Sequence, residues 1–403
     1  MTLRRPFAAL ISLAACLVAS ACDSSPTRDP AQATPELAAL RPAAPVDGSY
    51  GALLSADDVR DIAARIERRE EPWTTAFRAL LARADRALDA KPESVTFQGD
   101  SGHLFFTEPP YCGWSRRDGG PDCRDGQINP DADRGDYLAA NRLGQQTRHL
   151  AIAYVLTGEP RYADKAVELI RTWMLDSATY MEPRLSNWQS WIELYITIPS
   201  AIYAVDLLRD APNWRDGELA AAMDWIRAFS GDARKLSHEN NFENWRLVLL
   251  STAGATLGDQ GLLDEAFARF RAIIPDQIDT DGTMIEEIGR TKSLSYSLYA
   301  LNAMMITAEV ARRRGIDLYR WRTDDGRGLD MAMAYHAPYA IDPTNWPYPQ
   351  MGPVRASDNM AMFELAYAVY GDPVYLRAVE AWGRPMDEIR VLGPTTLTHS
   401  RRE

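Results

Sequence analysis

Gly158-Glu159-Pro160-Arg161-Tyr162 separates two runs, 144–156 and 162–175, in which apolar residues recur at helical spacing. A glycine there ends one helix in the left-handed conformation, an acid caps the next, and proline sits near its first turn. The pattern returns as Gly371-Asp372-Pro373-Val374-Tyr375, and Gly258-Asp259-Gln260-Gly261-Leu262 resembles both. Each marks the turn of a helical hairpin. The turns lie about a hundred residues apart at irregular intervals, which excludes a solenoid with a repeat of roughly 34 residues.

Working outward, helical periodicity also covers 59–89, 190–208, 216–229, 244–256, 262–274, 294–314, 327–339, 359–370 and 374–390. Ser55-Ala56-Asp57-Asp58 opens the first of these with acids in its first turn. Few segments alternate with the period of a strand. The expected fold is all-α: an (α/α) toroid, or incomplete barrel, of antiparallel helix hairpins. A helical-repeat binding protein is the alternative. Residues 95–140 break the pattern with Gly, Pro and Asp, and a loop that long in a compact domain is usually functional. It supplies Tyr111 as a candidate binding residue.

The N-terminus reads as a leader. Arg4 and Arg5 precede an apolar run from Phe7 to Ala19, too short for a membrane-spanning helix. Ala19-Ser20-Ala21-Cys22 then has the form of a lipoprotein cleavage site. Leu13-Ala14-Ala15-Cys16 also fits but leaves a very short apolar core, so Cys22 is the expected lipidated residue, with an ordinary cleaved signal as the alternative. Residues 23–48, rich in Ala, Pro, Ser, Thr and Asp, cannot bury enough apolar surface to order themselves and form a tether. The expected organisation is a signal peptide over 1–22, a disordered tether over 23–48 and one domain over 49–403. That domain would be a monomer held at the membrane by its lipid, periplasmic or on the outer membrane. Asp23 after Cys22 is, in some bacteria, a signal for inner-membrane retention.

Export suits the cysteines. Cys112 and Cys123, eleven apart in the irregular stretch, are expected to form a disulfide. Two thiols without a nearby histidine pair supply too few ligands for zinc, and neither metal nor cofactor is expected. The formal net charge of −12 argues against nucleic acid and gives no general attraction for a polyanion, although an acidic protein can hold a local basic cleft.

Three segments carry the chemistry. Ser237-His238-Glu239-Asn240-Asn241-Phe242-Glu243-Asn244-Trp245 places amides, a histidine, carboxylates and an indole at the head of an apolar helix, more than capping needs. Asp281 to Ser297 begins with an Asp-Gly turn and contains Arg290, Lys292 and Tyr296. A helix starting near Ser293 puts Tyr296 in its first turn and leaves Arg290 in the loop, free to fold over it. A guanidinium there favours the phenolate and lowers a reference pKa of about 10. Ser186-Asn187-Trp188-Gln189-Ser190-Trp191-Ile192-Glu193 sets two tryptophans on one helix face beside hydrogen-bonding Asn187, Gln189 and Glu193, a combination that suits sugar rings. His336, Tyr339 and Trp346 belong to a Pro- and aromatic-rich stretch that forms the wall of a cleft or a loop docked on the barrel.

From about residue 95 to 350 the chain resembles the alginate lyase superfamily of polysaccharide lyases. Asn240-Asn241 followed by Trp245 is similar to an Asn-Asn-His-x-x-Trp motif, and Glu287-x-x-Arg290-Thr291-Lys292-Ser293-Leu294-Ser295-Tyr296 to Glu-x-x-Arg-Thr-x-Ser-x-x-Tyr. Asp342-Pro343-x-x-Trp346-Pro347-Tyr348 and Leu156 to Ala163 match a later loop and an early hairpin. The resemblance implies a toroid and β-elimination on a uronic-acid polymer, alginate or glucuronan. It implies Tyr296 as base and acid, Arg290 as the residue that holds or activates it, and Asn241 on the substrate carboxylate. Phe242 stands where the family has histidine; His238 or Glu243 would have to fill that place. A protonated Glu243 is the expected donor to the developing enediolate. Asn187, Trp188, Gln189, Trp191, Glu193, Asn240, Trp245, Tyr111, Lys292, His336, Tyr339 and Trp346 are the expected contacts to an anionic polysaccharide. Two further readings stay open: a glycoside hydrolase using Glu193 and Glu243, and a non-catalytic glycan-binding lipoprotein.

Overall fold

Two kinds of helix alternate along the chain, and their residue patterns decide which layer each occupies. The computed structural model describes residues 50–97, 102–112, 127–355 and 359–400. The leader, the tether, Cys22 and Cys123 lie outside the described residues; Cys112 is disulfide-bonded. Four helices form the buried layer: α5 Trp188–Leu207, α7 Asn241–Leu257 and α9 Ser293–Arg312, which are almost wholly buried, and α3 Gly135–Thr157, which is buried mainly in its second half. They pack side by side as an inner layer, α3 on α5, α5 on α7 and α7 on α9. The helices that follow each of them, α4 Pro160–Met174, α6 Glu218–Ala233, α8 Gln260–Gln277 and α10 Leu329–Ile341, return the chain on the outside. In α4, α6 and α8 the apolar residues form one stripe, as expected for a helix with one face on the core and the other in water. These hairpins make an all-α toroid. Among the described residues there is no strand, only isolated bridges.

The hairpin turns are built as their sequence suggests. Gly158, Gly258 and Gly371 end α3, α7 and α11 (Met362–Tyr370) with φ of 69°, 67° and 74°, a conformation glycine adopts without steric cost. Asp259 and Asp372 cap the following helices, α8 and α12 (Pro373–Trp382), by accepting from Leu262 N and Val374 N. Glu159 does not cap; its longer side chain pairs with Arg161 at 2.6 Å. Gly144 sets the closeness of α3 and α5, because a Cβ there would lie 2.8 Å from Thr197 O.

Several helix boundaries differ from the periodicity. The run 59–89 is two helices, α1 Ala56–Glu67 and α2 Trp73–Leu88, broken where Arg69 takes a φ of 58° and Pro72 follows. Helix α3 begins at Gly135, well before the expected 144, because its polar first turns carry no periodic apolar signal. The last long run stops at Trp382, and the chain beyond it is irregular until the short α13 Thr395–Thr398.

That final segment closes the ring. Helix α13 packs on α1, α2 and α11. Buried Glu364 gathers Arg384 (2.6 Å), Thr396 (2.5 Å) and Ser400 (3.3 Å). Asp387 receives Arg83 at 2.7 Å and His149 at 2.9 Å. Burial alone would raise the Asp387 carboxyl, but the hydrogen-bonded His149 and the guanidiniums of Arg148 and Arg83 hold it down at about 2. The closure fixes the segment 388–393, whose Arg390 points back toward the inner helices.

Candidate functional site

Hairpins that all turn the same way bring the N-terminal ends of the four inner helices to one end of the toroid. Arg134, at the N-cap of α3, forms a close ion pair with Glu193 of α5 and donates to Thr107 Oγ1 at 3.0 Å and Glu108 O at 2.9 Å. Tyr195 of α5 meets His238, just before α7, at 3.3 Å. Asn241, the first residue of α7, donates from its side chain to Glu287 at 2.7 Å and from its backbone at 3.2 Å. Glu287 belongs to the loop entering α9 and lies 3.4 Å from Arg290. Helix N-termini carry partial positive charge and unpaired N–H groups, so an acidic chain acquires one end suited to anions.

The proton-transfer candidates lie where α7 and α9 meet. Arg290 is in the turn before α9, and its guanidinium sits 3.8 Å from the centre of the Tyr296 ring. It lies over the ring face. Tyr296 hydrogen-bonds Tyr111, and the ammonium of Lys292 lies 4.4 Å over the Tyr111 ring. Burial pushes the Tyr296 phenol well above its ordinary value, the Tyr111 partner adds to this, and Arg290 only partly opposes it. The expectation that Arg290 leaves this phenol below its reference value is therefore corrected: desolvation outweighs a cation placed on the ring face rather than at the oxygen. Burial also raises the Glu287 carboxyl, opposed by Asn241 and Arg290, and lowers the Lys292 ammonium.

Glu243 is corrected too. It is fully buried and accepts from Arg246 at 2.9 and 2.7 Å, Arg269 at 2.8 Å and His238 N at 2.9 Å. Burial pulls its pKa up, but these donors outweigh it and the net shift is downward. A carboxylate with its oxygens so engaged is an ionised strut behind α7, neither a protonated donor nor a hydrolytic acid. Glu287, whose carboxyl burial raises and which accepts from Asn241, is the carboxyl at this end that is shifted toward the protonated form.

His238 is half-buried, with ring centroids 5.6 Å from Trp191, 5.8 Å from Tyr195 and 5.7 Å from Phe242; burial lowers its pKa. Asn240 is the N-cap of α7, accepting from Phe242 N. Asn187 caps α5 and donates to Thr107 O at 3.3 Å. Gln189 is buried and donates to Glu193 at 2.8 Å, so both steady the loop carrying Thr107. Trp188 is exposed and Trp191 partly buried.

Three expected contacts are packed away. Trp245 is fully buried, 5.0 Å from the Tyr299 ring, so it floors the site rather than touching a sugar. His336 is fully buried and engaged with Ala332 O at 2.8 Å. Trp346 is nearly buried and donates to Ser293 Oγ at 2.7 Å. With the partly exposed Tyr339, His336 and Trp346 form an aromatic cluster that supports the segment before α9. That segment pairs with 349–351: Ser293 N donates to Pro349 O, Met351 N to Thr291 O and Gln350 Nε2 to Ser295 Oγ.

Sequence reasoning missed Arg134, Tyr137, Thr107, Tyr299 and Arg390. Arg134 lies 4.2 Å over the Tyr137 ring, and Arg390 lies 4.8 Å over Tyr299 and 5.5 Å over Trp245. Tyr299 was findable, one helical turn beyond Tyr296 on the same face. Arg390 was not, because only ring closure brings it there.

The family model for alginate lyase matches residues 88–346. Among solved structures, an alginate lyase from Bacteroides ovatus is 22% identical, with a TM-score of 0.76 over 88% of this chain and 100% of that one. Alginate lyase A1-III from Sphingomonas species A1 is 20% identical, with a TM-score of 0.59 over 80% of this chain and 95% of that one. A variant of A1-III complexed with a tetrasaccharide is 21% identical, with a TM-score of 0.65 over 86% and 95%. No curated protein matches by sequence.

Proposed function

The chain belongs to the alginate lyase family, and from that premise we propose that it cleaves a uronic-acid polymer, alginate or glucuronan, by β-elimination with Tyr296 transferring the proton. It is a polysaccharide lyase; the polymer and the residue roles are our reading. One observation carries them: the Arg290 guanidinium 3.8 Å over Tyr296, next to Asn241 and Glu287, where the inner helix N-termini meet. A structural relative complexed with a tetrasaccharide supports a sugar chain as the substrate.

β-Elimination removes the proton on C5 and expels the glycosidic oxygen from C4. The C5 proton is very weakly acidic while the neighbouring carboxylate keeps its charge, so donors must take up charge as the enediolate forms. In this proposal Asn241 and Arg290 bind the carboxylate, and Glu287, raised by burial, shares a proton with it. The Tyr296 phenolate takes the C5 proton and returns it to O4, so both depart from one face. Since the resting phenol is protonated, turnover draws on its ionised fraction, which Arg290 enlarges. Phe242 can neither transfer a proton nor donate a hydrogen bond, which leaves Tyr296 to serve both steps. The hydrolase reading loses one of its two carboxylates, because Glu243 is locked among arginines. Attachment through Cys22 and a periplasmic or outer-membrane location remain part of the proposal.

The test is a polyuronate panel followed by ultraviolet absorbance of the unsaturated product. Product from the wild type, with a collapse in Tyr296→Phe, supports the reading. Reducing ends released without that absorbance would replace it with hydrolysis, and a Tyr296→Phe enzyme of near-normal turnover would remove Tyr296 from the chemistry.

A further inference from the structure

A groove of about 490 Å³ opens between α10, α11 and α12, beside the turn at Asp281. Asp281, Asp330 and Asp372 line it together with Tyr335, Tyr370 and Tyr375. It is an open groove rather than an enclosed cavity, so it would cover one face of a ligand. The lining has a distinct chemistry. Asp330 is neutralised by Arg322 at 2.7 Å. Asp281 commits one oxygen to Thr283 and Asp372 commits one to Val374 N, and the second oxygen of each has no hydrogen bond among the described residues. Tyr370 already donates to Tyr319 O and Tyr335 is bonded to Tyr348. Tyr375 differs from both. It is only 3% exposed and lines the groove, yet no hydrogen bond to its hydroxyl is found among the described residues. The core holds its ring, while its hydroxyl is open to the groove and is left without a protein partner.

We propose that this groove is a second carbohydrate site, distinct from the catalytic end, that takes a neutral sugar unit. Two free carboxylate oxygens accept from sugar hydroxyls, the Tyr375 hydroxyl supplies one more bond, and Tyr335 offers an aromatic wall for a C–H face. The net negative lining rejects uronates, so the site complements the catalytic end rather than duplicating it. A metal fits poorly: among the described residues no three His, Cys, Asp or Glu side chains are placed to share one. Through the Tyr335–Tyr348 bond the groove shares a wall with the 346–351 loop that docks beside Tyr296.

Saturation-transfer NMR and calorimetry on the intact protein test this, with glucose, mannose, galactose, rhamnose and their disaccharides as probes and glucuronate, calcium and spermidine as comparators. Binding of at least one neutral sugar is expected. Tyr375→Phe should weaken it about fivefold to tenfold, as for the loss of one buried hydrogen bond. Ala334→Trp, which adds bulk at an exposed helix position on the rim, should abolish it. Both variants should keep wild-type lyase activity on a uronate polymer, which separates this site from the catalytic reading. The proposal is overturned if no neutral sugar binds at high millimolar concentration, if glucuronate, calcium or spermidine binds there instead, or if neither variant changes the affinity.

Discussion

Replacing Glu243 by glutamine tests whether this carboxylate holds the protein together or takes part in the reaction. The side chain keeps its shape and loses its charge. Arg246, only 4% exposed at its side chain, then has no carboxylate to answer it and cannot turn to water. Removing one member of a buried pair costs about 3–5 kcal/mol, because the other charge stays buried. Arg269 is about a third exposed, can re-solvate, and adds little. For a domain of about 350 residues this loss lowers Tm by roughly 4–7 °C. The pH dependence adds a second signature. The Glu243 pKa is lowered on folding, so its contribution is complete above the unfolded carboxylate value of about 4.3 and disappears as pH falls through the lower folded value. Circular-dichroism melts should therefore show a gap between wild type and Glu243→Gln at pH 7 that narrows in acid. Turnover of the variant at a temperature where it is folded should stay within about tenfold of wild type, far short of losing an enediolate donor. An unchanged Tm with a turnover loss of about a hundredfold or more would falsify the structural role and restore Glu243 to the chemistry.

Tyr296→Phe should cut kcat by about 10²–10⁴ while shifting the melt little, measured by product absorbance and calorimetry together. Because burial raises the Tyr296 phenol, wild-type kcat/KM should climb through the alkaline range, and a profile flat from pH 7 to 9 would contradict a phenolate base. Arg290→Ala removes the opposing cation and should move that climb to still higher pH; an unmoved limb assigns Arg290 to substrate binding alone. Arg134→Ala should loosen the loop held through Thr107 and Glu108, seen as faster proteolytic nicking between 102 and 134 and a raised KM.

The hairpins were legible because a glycine in the left-handed region, a capping acid and an early proline act within five residues, and local sterics decide them. The inner helices were legible only as helices, because segments apolar all round announce burial without naming their neighbours. The site divides along the same line. Arg290 and Tyr296 are six apart, and a turn between them is enough to stack them. Glu243 misled because its fate depends on Arg269, which sits on the next helix, and on a neighbour one turn away. Trp245 and His336 were misassigned for the matching reason: an indole or imidazole beside a polar motif has the same sequence whether it faces a cleft or a core. Arg390, which lies over the ring of Tyr299 despite a separation of 91 residues in the sequence, enters only because Glu364, Asp387 and α13 pin the chain end.

The phenol's raised pKa follows from the same architecture that gathers the cations. A site dry enough to make Asn241, Arg290 and the helix ends effective against an enediolate is dry enough to keep Tyr296 protonated at rest, since low polarity strengthens every charge interaction and penalises every isolated charge alike. The donors and the base therefore cannot be optimised separately. Placing Arg290 over the ring face lets one guanidinium serve both, easing the phenolate while leaving its N–H edge for a substrate carboxylate. An arginine bonded end-on to the phenol oxygen would lower the pKa further but give up that second role. Arg290→Lys separates the two: an ammonium keeps the charge but lacks the planar fork, so the alkaline limb should stay near wild type while KM rises. If KM is unchanged and the limb moves, the guanidinium tunes the tyrosine only and the carboxylate is held elsewhere.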